Sequence, residues 1–484
     1  MLLLLILISA LVRFVRLSEP AELVFDETYY AKDSCLYLGY QPETCMLTQE
    51  TEQSYVHPPL GKWLLAGGIK LFGFSSLGWR FMAAVFGTAL GVVVFLLARQ
   101  MFHDRWTAGV AGLLVATDFL MIVQSRISML DIFLAFFVVL GFFFMALDRS
   151  EVLRVREYLH TEPAGRHALY RLRYRYAAGA SFGLALAVKW SALFALLAAL
   201  GLAVAWSRGL RRLGRTTSEA GGQNEPARRD RFGRVVVGTM AAFLVIPGLV
   251  YLASYAHYFV ERQAETCSFV VPPKSDERIL GEGFLGYEQG FCVQGVLGVA
   301  MSFADLHERV AEYHLTLKAT HPYQSKAWTW PLVLRPIAYY YSSVEGKATE
   351  IIGIGNVATW YGALISAGWL LIRSRRRWRP ERVIALAWAA QYLPWVLVAR
   401  PLFFFYMTPV VPFMMISLAA SLSALRRRGK KSRRFVTAYL IIGVGVMLLI
   451  FFVVLTAVPI PYDLWLRLMW LRAFDCGRYA CGWI

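Results

Sequence analysis

The sequence predicts an all-α polytopic membrane protein with about eleven transmembrane helices and two large extracytoplasmic loops. Three observations carry this. Of 484 residues, 57% are hydrophobic and 17% charged, where soluble domains sit at roughly 45–50% apolar and about 25% charged. The same figures exclude a disordered chain. The formal charge of +18 is gathered into short loops between apolar runs, which is a topology signal and not a nucleic-acid footprint. Finally, the six cysteines all fall on one side of the resulting topology.

The apolar runs lie at about 2–17, 81–98, 107–123, 129–147, 177–188, 190–206, 235–259, 350–372, 383–399, 402–424 and 435–458. A spanning helix needs roughly 17–25 apolar residues, so 177–188 is short. Fusing it with 190–206 would leave ten spans and turn the Arg208–Arg234 cluster outward, so eleven fits the charge better. With a cytoplasmic N-terminus, five basic clusters face inside: Arg99 with Arg105, Arg149–Arg175, Arg208–Arg234, Arg373–Arg382 and Arg426–Arg434. They hold 30 of the 50 Lys and Arg residues, as the positive-inside rule requires. The first run lacks a basic leader and a clear small-residue cleavage site, so it reads as an anchor helix.

A single integral membrane domain, 1–484, follows. Its first external loop is 18–80, its second 260–349, and the tail 459–484 is external too. Cys35 and Cys45, Cys267 and Cys292, and Cys476 and Cys481 come as neighbours, one pair per external segment. Proximity therefore favours the pairs Cys35–Cys45, Cys267–Cys292 and Cys476–Cys481 and an oxidising compartment; the alternative is six buried thiols. Thr216–Asp230 reads as a flexible cytoplasmic loop. No internal repeat, Walker loop, GxGxxG, HExxH or CxxC pair occurs, so nucleotide hydrolysis and tetrahedral zinc chemistry have no support.

The chemistry is concentrated in the first external loop. Phe25-Asp26-Glu27-Thr28-Tyr29-Tyr30 sets two carboxylates side by side. Neighbours on a helix diverge by about 100°, so the two cannot share one task. Asp26 could face a reacting centre, or simply cap a helix starting at Glu27. Further on, His57-Pro58-Pro59-Leu60-Gly61-Lys62-Trp63 stiffens the chain ahead of a short apolar stretch suited to the interface.

These two motifs, in this order after a first span, resemble the protein O-mannosyltransferases, membrane glycosyltransferases of the GT-C class. More matches follow in order: Gly78-Trp79-Arg80-Phe81, the run Ser125 to Asp131, Lys189-Trp190, His321-Pro322-Tyr323, the run Trp330 to Pro336, and the run Phe404 to Pro409. The resemblance covers nearly the whole chain. The second external loop, at about 90 residues, is too short for the β-trefoil domain inserted in the eukaryotic enzymes, so the form is similar to the bacterial, especially actinobacterial, ones. The resemblance implies a GT-C fold and a transferase that moves mannose from polyprenyl-phosphate mannose to Ser or Thr hydroxyls of exported proteins, with inversion, at the extracytoplasmic face of the cell membrane. It makes Asp26 the general base and Glu27 an organiser of nearby basic groups.

Cations at membrane depth are costly and suggest function. Arg80, Arg126, Lys189, Arg400 and Arg13 could hold the donor phosphate or snorkel to headgroups; the resemblance favours Arg80 and Lys189, with Arg13 in support. Asp131 reads as an ion-pair partner of Arg126. His57 and His321 could orient acceptor or sugar, or merely pack, and Arg335 and Tyr406 belong to the matching motifs. Trp328, Trp330, Tyr339, Tyr340 and Tyr341 could line an acceptor groove or form an interfacial belt. The partners expected are the mannosyl lipid, Ser/Thr-containing exported polypeptides, membrane lipid and the secretion translocon, with no nucleic acid. No cofactor is expected, although an Asp-Glu pair beside phosphate leaves a divalent metal open. The alternatives are a GT-C transferase with a lipid or glycan acceptor and a lipid-linked sugar flippase; a flippase often shows repeats and midplane charges in broken helices, which are not evident here.

Overall fold

The computed structural model describes residues 1–47, 55–161, 172–219, 225–264, 267, 269–271, 291–318, 320–375, 380–472, 474–475 and 480–483. In chain order its helices are α1 (Leu2–Phe14), α2 (Glu27–Leu36), α3 (Leu60–Phe72), α4 (Ser76–Phe102), α5 (Arg105–Thr117), α6 (Phe119–Gln124), α7 (Asp131–Thr161), α8 (Arg173–Val188), α9 (Ala192–Glu219) and α10 (Glu225–Met240). They continue with α11 (Ile246–Ser254), α12 (Ala256–Ala264), α13 (Gly295–Thr316), α14 (Val357–Ser374), α15 (Pro380–Val396), α16 (Val411–Arg426), α17 (Lys430–Leu440), α18 (Met447–Leu455) and α19 (Tyr462–Leu468). One π-helical stretch joins α10 to α11 and another joins α17 to α18.

Among the described residues, five helical segments are long and apolar enough to cross a bilayer: Ser76–Phe102, Asp131–Val155, Ala192–Gly209, Gly233–Ser254 and Lys430–Leu455. Leu3, Leu4, Leu7, Leu249, Ile441 and Leu449 lie exposed, as lipid-facing residues must when no water drives them inward. Where helices meet, small residues admit close approach. Gly179 of α8 lies against the Ala242 backbone, and one turn later Gly183 faces Pro247.

Each expected apolar run coincides with helix, but several boundaries differ. Run 350–372 begins in a strand and becomes helical only at Val357, because Asn356 caps α14 through the Ala358 amide. Run 402–424 opens with a 3-10 turn, Phe404–Met407, before α16. Run 177–188 extends back to Arg173, which makes α8 a 16-residue helix. The Thr216–Asp230 loop is also corrected: Thr216–Glu219 continues α9 and Glu225–Asp230 opens α10.

The structure is not purely helical. Strands β1 (Phe269–Val271) and β2 (Phe291–Val293) pair, as do β6 (Phe474–Asp475) and β7 (Ala480–Cys481). Between them in sequence, β3 (Ile337–Val344), β4 (Lys347–Gly353) and β5 (Ile460–Pro461) form an antiparallel sheet in the order β3-β4-β5. Tyr339-Tyr340-Tyr341 and Ile351-Ile352 favour strand, and Glu345-Gly346, both at positive φ, form the two-residue turn that suits a hairpin.

Candidate active site

The segment between α1 and α2 is held by one buried carboxylate. Glu27 and Arg80 are both 0% exposed. Glu27 Oε1 accepts from Arg80 Nε at 2.8 Å and from the Ser128 amide at 2.9 Å. Its Oε2 accepts from Arg80 Nη2 at 2.8 Å and from the Val24 amide at 3.0 Å. The remaining Arg80 donors reach the carbonyls of Leu17, Pro20 and Glu22. Glu27 therefore organises a basic group, whereas Arg80, expected on the donor phosphate, has all its N–H groups facing protein oxygens and no surface to offer a ligand.

Arg126 is also redirected. It donates to the carbonyls of Val12, Arg13, Val15 and Arg16 at 2.6–3.3 Å, meeting the orphan acceptors at the C-terminal end of α1. Its expected pairing with Asp131 is not formed. Asp131 Oδ2 instead bonds Lys189 Nζ at 2.8 Å, because Asp131 opens α7 just where α8 ends. Arg13 is fully buried, with Nη1 bonded to Ser9 and to the Ala116 carbonyl, which braces α1 against α5, while its Nε and Nη2 have no hydrogen-bond partner among the described residues.

Against these bonded groups, Asp26 stands apart. It occupies the N-cap position of α2 yet makes no side-chain cap bond. Among the described residues its carboxylate accepts one hydrogen bond, from Tyr30 Oη at 3.3 Å one helical turn along. Burial pushes its pKa up to about 6; Lys189 and the Tyr30 bond pull it down and Asp131 pushes it up. The preceding Phe25 has φ +49°, a conformation that costs a non-glycine residue about 1–3 kcal/mol and gathers at functional sites. Its ring is wedged edge-on against His321, Tyr339 and Phe405 at 5.1–6.1 Å, which sets the direction in which Asp26 emerges.

Around Asp26 the expected residues fall into two sets. Lys189 Nζ lies 5.6 Å above the Phe405 ring, and only one of its three ammonium donors is recorded on Asp131. Arg400 lies over the Tyr406 ring at 5.9 Å and donates to His314 Nδ1 at 3.3 Å. His314 consequently keeps its proton on Nε2, directed at the Val56 carbonyl at 3.0 Å. The His57 ring stacks on His314 at 5.6 Å and lies 6.0 Å from Tyr30. Burial holds the His57 pKa well below normal, helped by Lys189, His314, Lys62 and Arg400, so this imidazole is neutral. Arg335 lies apart from this cluster, tying Pro322 to Gly482 through their carbonyls. Trp330 is buried on Ser325 Oγ, whereas Trp328 is half exposed. A cavity of about 350 Å³ opens beside Arg400, lined by Lys326, Trp328 and Trp395 among others.

Sequence reasoning missed Tyr30, Gln124 and His314. Tyr30 had a signal, its i+4 spacing from Asp26. Gln124, which donates to the Tyr339 hydroxyl, and His314 had none, since each meets the site only through long-range packing. Two disulfides, Cys35–Cys45 and Cys267–Cys292, are formed as expected, each with a Cα–Cα distance of 5.7 Å; Cys476 of the third pair lies outside the described residues. No group of three or more potential metal ligands occurs among the described residues.

Comparison with known proteins places the chain in a family. Residues 3–261 match the model for dolichyl-phosphate-mannose-protein mannosyltransferase, and residues 299–474 the C-terminal four-helix region of protein O-mannosyltransferase. A polyprenol-phosphate-mannose–protein mannosyltransferase of Mycolicibacterium smegmatis is 31% identical, over 96% of this chain and 91% of its own length. That of Mycobacterium tuberculosis is 30% identical, over 97% and 90%. The yeast Pmt1-Pmt2 complex bound to its sugar donor shares the fold, with TM-score 0.70 at 14% identity over 99% of this chain and 93% of that one. ArnT of Cupriavidus metallidurans aligns with TM-score 0.54 at 17% identity, over 91% and 62%. The chain is thus a GT-C membrane glycosyltransferase and belongs to the dolichyl-phosphate-mannose-protein mannosyltransferase family.

Proposed function

We propose that this multi-pass membrane enzyme takes mannose from polyprenyl-phosphate mannose and places it on Ser or Thr hydroxyls of exported polypeptides at the outer membrane face, inverting the anomeric centre. Transfer of mannose from a lipid donor to protein is the activity of the family; the hydroxyl, the face and the residues are our reading. The observation that carries it is Asp26, a carboxylate raised to about pKa 6, making no side-chain cap bond and within electrostatic reach of the Lys189 cation.

In this reading Asp26 accepts the proton of the acceptor hydroxyl as its oxygen attacks the anomeric carbon from the side opposite the phosphate. The C–O bond to phosphate breaks, and its electron pair leaves with the phosphate. Lys189 and Arg400 stabilise the charge that develops there, so the leaving group needs no acid. Glu27, Arg80, Arg126 and Arg13 hold the backbone that aims Asp26. His57, His321 and Tyr406 shape the space for sugar and acceptor. The disulfides support an oxidising compartment for both external segments, and the basic clusters support a cytoplasmic N-terminus with an external tail, eleven spans and a cell-membrane location. Delivery of extended chains by the translocon is consistent with this side.

The test uses purified protein in lipid, polyprenyl-phosphate mannose and a Ser/Thr-rich peptide. The expected result is mannose on peptide with the anomeric configuration opposite to that in the donor, lost in Asp26→Asn. Transbilayer movement of the lipid without transfer, or transfer only to lipid or glycan, overturns the reading. Loss of activity in EDTA that manganese or magnesium restores would add a metal to it.

A further inference from the structure

We propose that the unpaired edge of β3 receives the acceptor polypeptide as an added β-strand, which presents its hydroxyl residue to Asp26. This deepens the function proposed above and rests on it.

The outward edge can be assigned from the hairpin. Val344 pairs with Lys347 across the Glu345-Gly346 turn, and in a two-residue hairpin the closing pair is hydrogen-bonded. Alternation then makes Tyr341–Glu350 and Ser343–Ala348 the non-bonded pairs. An independent contact agrees: the Glu350 carbonyl accepts from the Ala457 amide, so it faces away from β3. The N–H and C=O groups of Tyr341 and Ser343 therefore point off the sheet. Both residues are exposed, and no backbone partner is recorded for them among the described residues. A strand with such an edge is a template for another chain.

The opposite end of the same strand enters the active site. The register shifts between Ala338 and Tyr340, so Tyr339 is the extra residue of a β-bulge, a device that re-aims side chains beside active sites. Here it turns Tyr339 and Tyr340 to one face. Tyr339 meets the Phe25 ring at 5.1 Å, and Tyr340 lies close enough to Glu22 that this carboxylate adds to burial in pushing its pKa up. That face therefore looks at the segment ending in Asp26. A residue on an added strand opposite this bulge would put its side chain on the same face, with Cβ atoms about 4.5–5.5 Å apart.

The occupant follows from the chemistry. The acceptor is polypeptide, it must be extended to expose one hydroxyl, and main-chain pairing grips any sequence while leaving alternate side chains free.

The experiment measures mannosyl transfer by the full chain in lipid to a nine-residue peptide with one Thr, scanned by backbone N-methylation. The expected outcome is a period of two: methyls on alternate residues raise the peptide KM about 3–10-fold each, the range for one lost backbone bond, and the intervening ones do not. Ser343→Pro should likewise raise the peptide KM, with donor KM and thermal midpoint at wild-type values, because proline is tolerated at an outward edge position. A flat scan, or harm confined to the residues flanking Thr, overturns the proposal. So does a Ser343→Pro variant that changes oligomeric state but not peptide KM, which would assign the edge to a second copy of the chain. Absence of transfer even to unmethylated peptide would instead remove the function on which the proposal rests.

Discussion

Glu27→Gln isolates what the buried carboxylate does. Four hydrogen bonds end on its two oxygens, each taking one guanidinium N–H and one backbone amide. A glutamine keeps one oxygen and so serves one of these two pairs. Its amide group meets the other pair donor to donor. Two buried donors lose their acceptor, at about 1–3 kcal/mol each, and Arg80 remains charged with no anion in contact. Breaking a buried pair in this way costs about 3–5 kcal/mol. Because the same atoms hold Val24, Ser128 and the Pro20 and Glu22 carbonyls, the loss should appear first as a lower thermal midpoint and poorer monodispersity in detergent, with transfer falling alongside. Arg80→Met in the Glu27→Gln background removes the stranded charge and should recover part of the stability. Should Glu27→Gln keep the wild-type midpoint while losing transfer, the residue acts on substrate and the scaffold assignment is wrong.

Three further outcomes are expected. Asp26→Asn should lower turnover about 10²–10⁴-fold without lowering the thermal midpoint at neutral pH: burial raises the folded pKa to about 6, so stability present below the unfolded value is lost as pH rises through it, and the neutral amide escapes that loss. In a pH profile of kcat/KM, activity should fall as pH drops through about 6; Tyr30→Phe and Lys189→Met each remove an interaction that favours the carboxylate, so both should move this limb upward. Cys35→Ser should cost about 2–4 kcal/mol, read as a lower midpoint, since the bond is buried against Trp79 beside Arg80; a midpoint equal to wild type would mean that the disulfide does not brace this segment.

Legibility in the sequence followed the range of the forces involved. Apolar runs and basic loops report on the bilayer residue by residue, so each of the eleven runs contains helix. Disulfide partners close in sequence were likewise recoverable. Strand β4 was absorbed into a span because Ile351-Ile352-Gly353 is as apolar as the helix that follows, and periodicity cannot separate a short buried strand from a helix end. At the site, Asp26 and Lys189 were visible as chemical types at telling positions. Their neighbours were not, because pairing is a tertiary property. Asp131 lies five residues from Arg126 but bonds Lys189, 58 residues away, and Arg80 finds Glu27 across 53. A cation at membrane depth signals importance without distinguishing a ligand from a brace.

In the proposed reaction, with Asp26 as base and Lys189 facing the phosphate, charge conservation explains why these braces matter. Three carboxylates of the site region are directly paired, Glu27 with Arg80, Asp33 with Lys62 and Asp131 with Lys189, and each pair is locally neutral. Asp26 has no such bonded cation among the described residues and carries a free charge once deprotonated. A lipid phosphodiester donor brings one negative charge. After transfer the carboxyl is neutral and the lipid phosphate monoester, fully ionised, carries two, so the total is unchanged and one charge has moved from Asp26 toward the phosphate. A cation nearer the phosphate than the carboxylate lowers the energy of that movement. Lys189 has a double effect. It lowers the Asp26 pKa, which keeps the base ionised but makes it weaker, and it favours the leaving group. Its bond to Asp131 tempers the first effect, because Asp131 pushes the Asp26 pKa back up. Burial is what raises the Asp26 pKa to about 6, and the Asp131–Lys189 pair, its two members acting in opposite directions, leaves that rise in place.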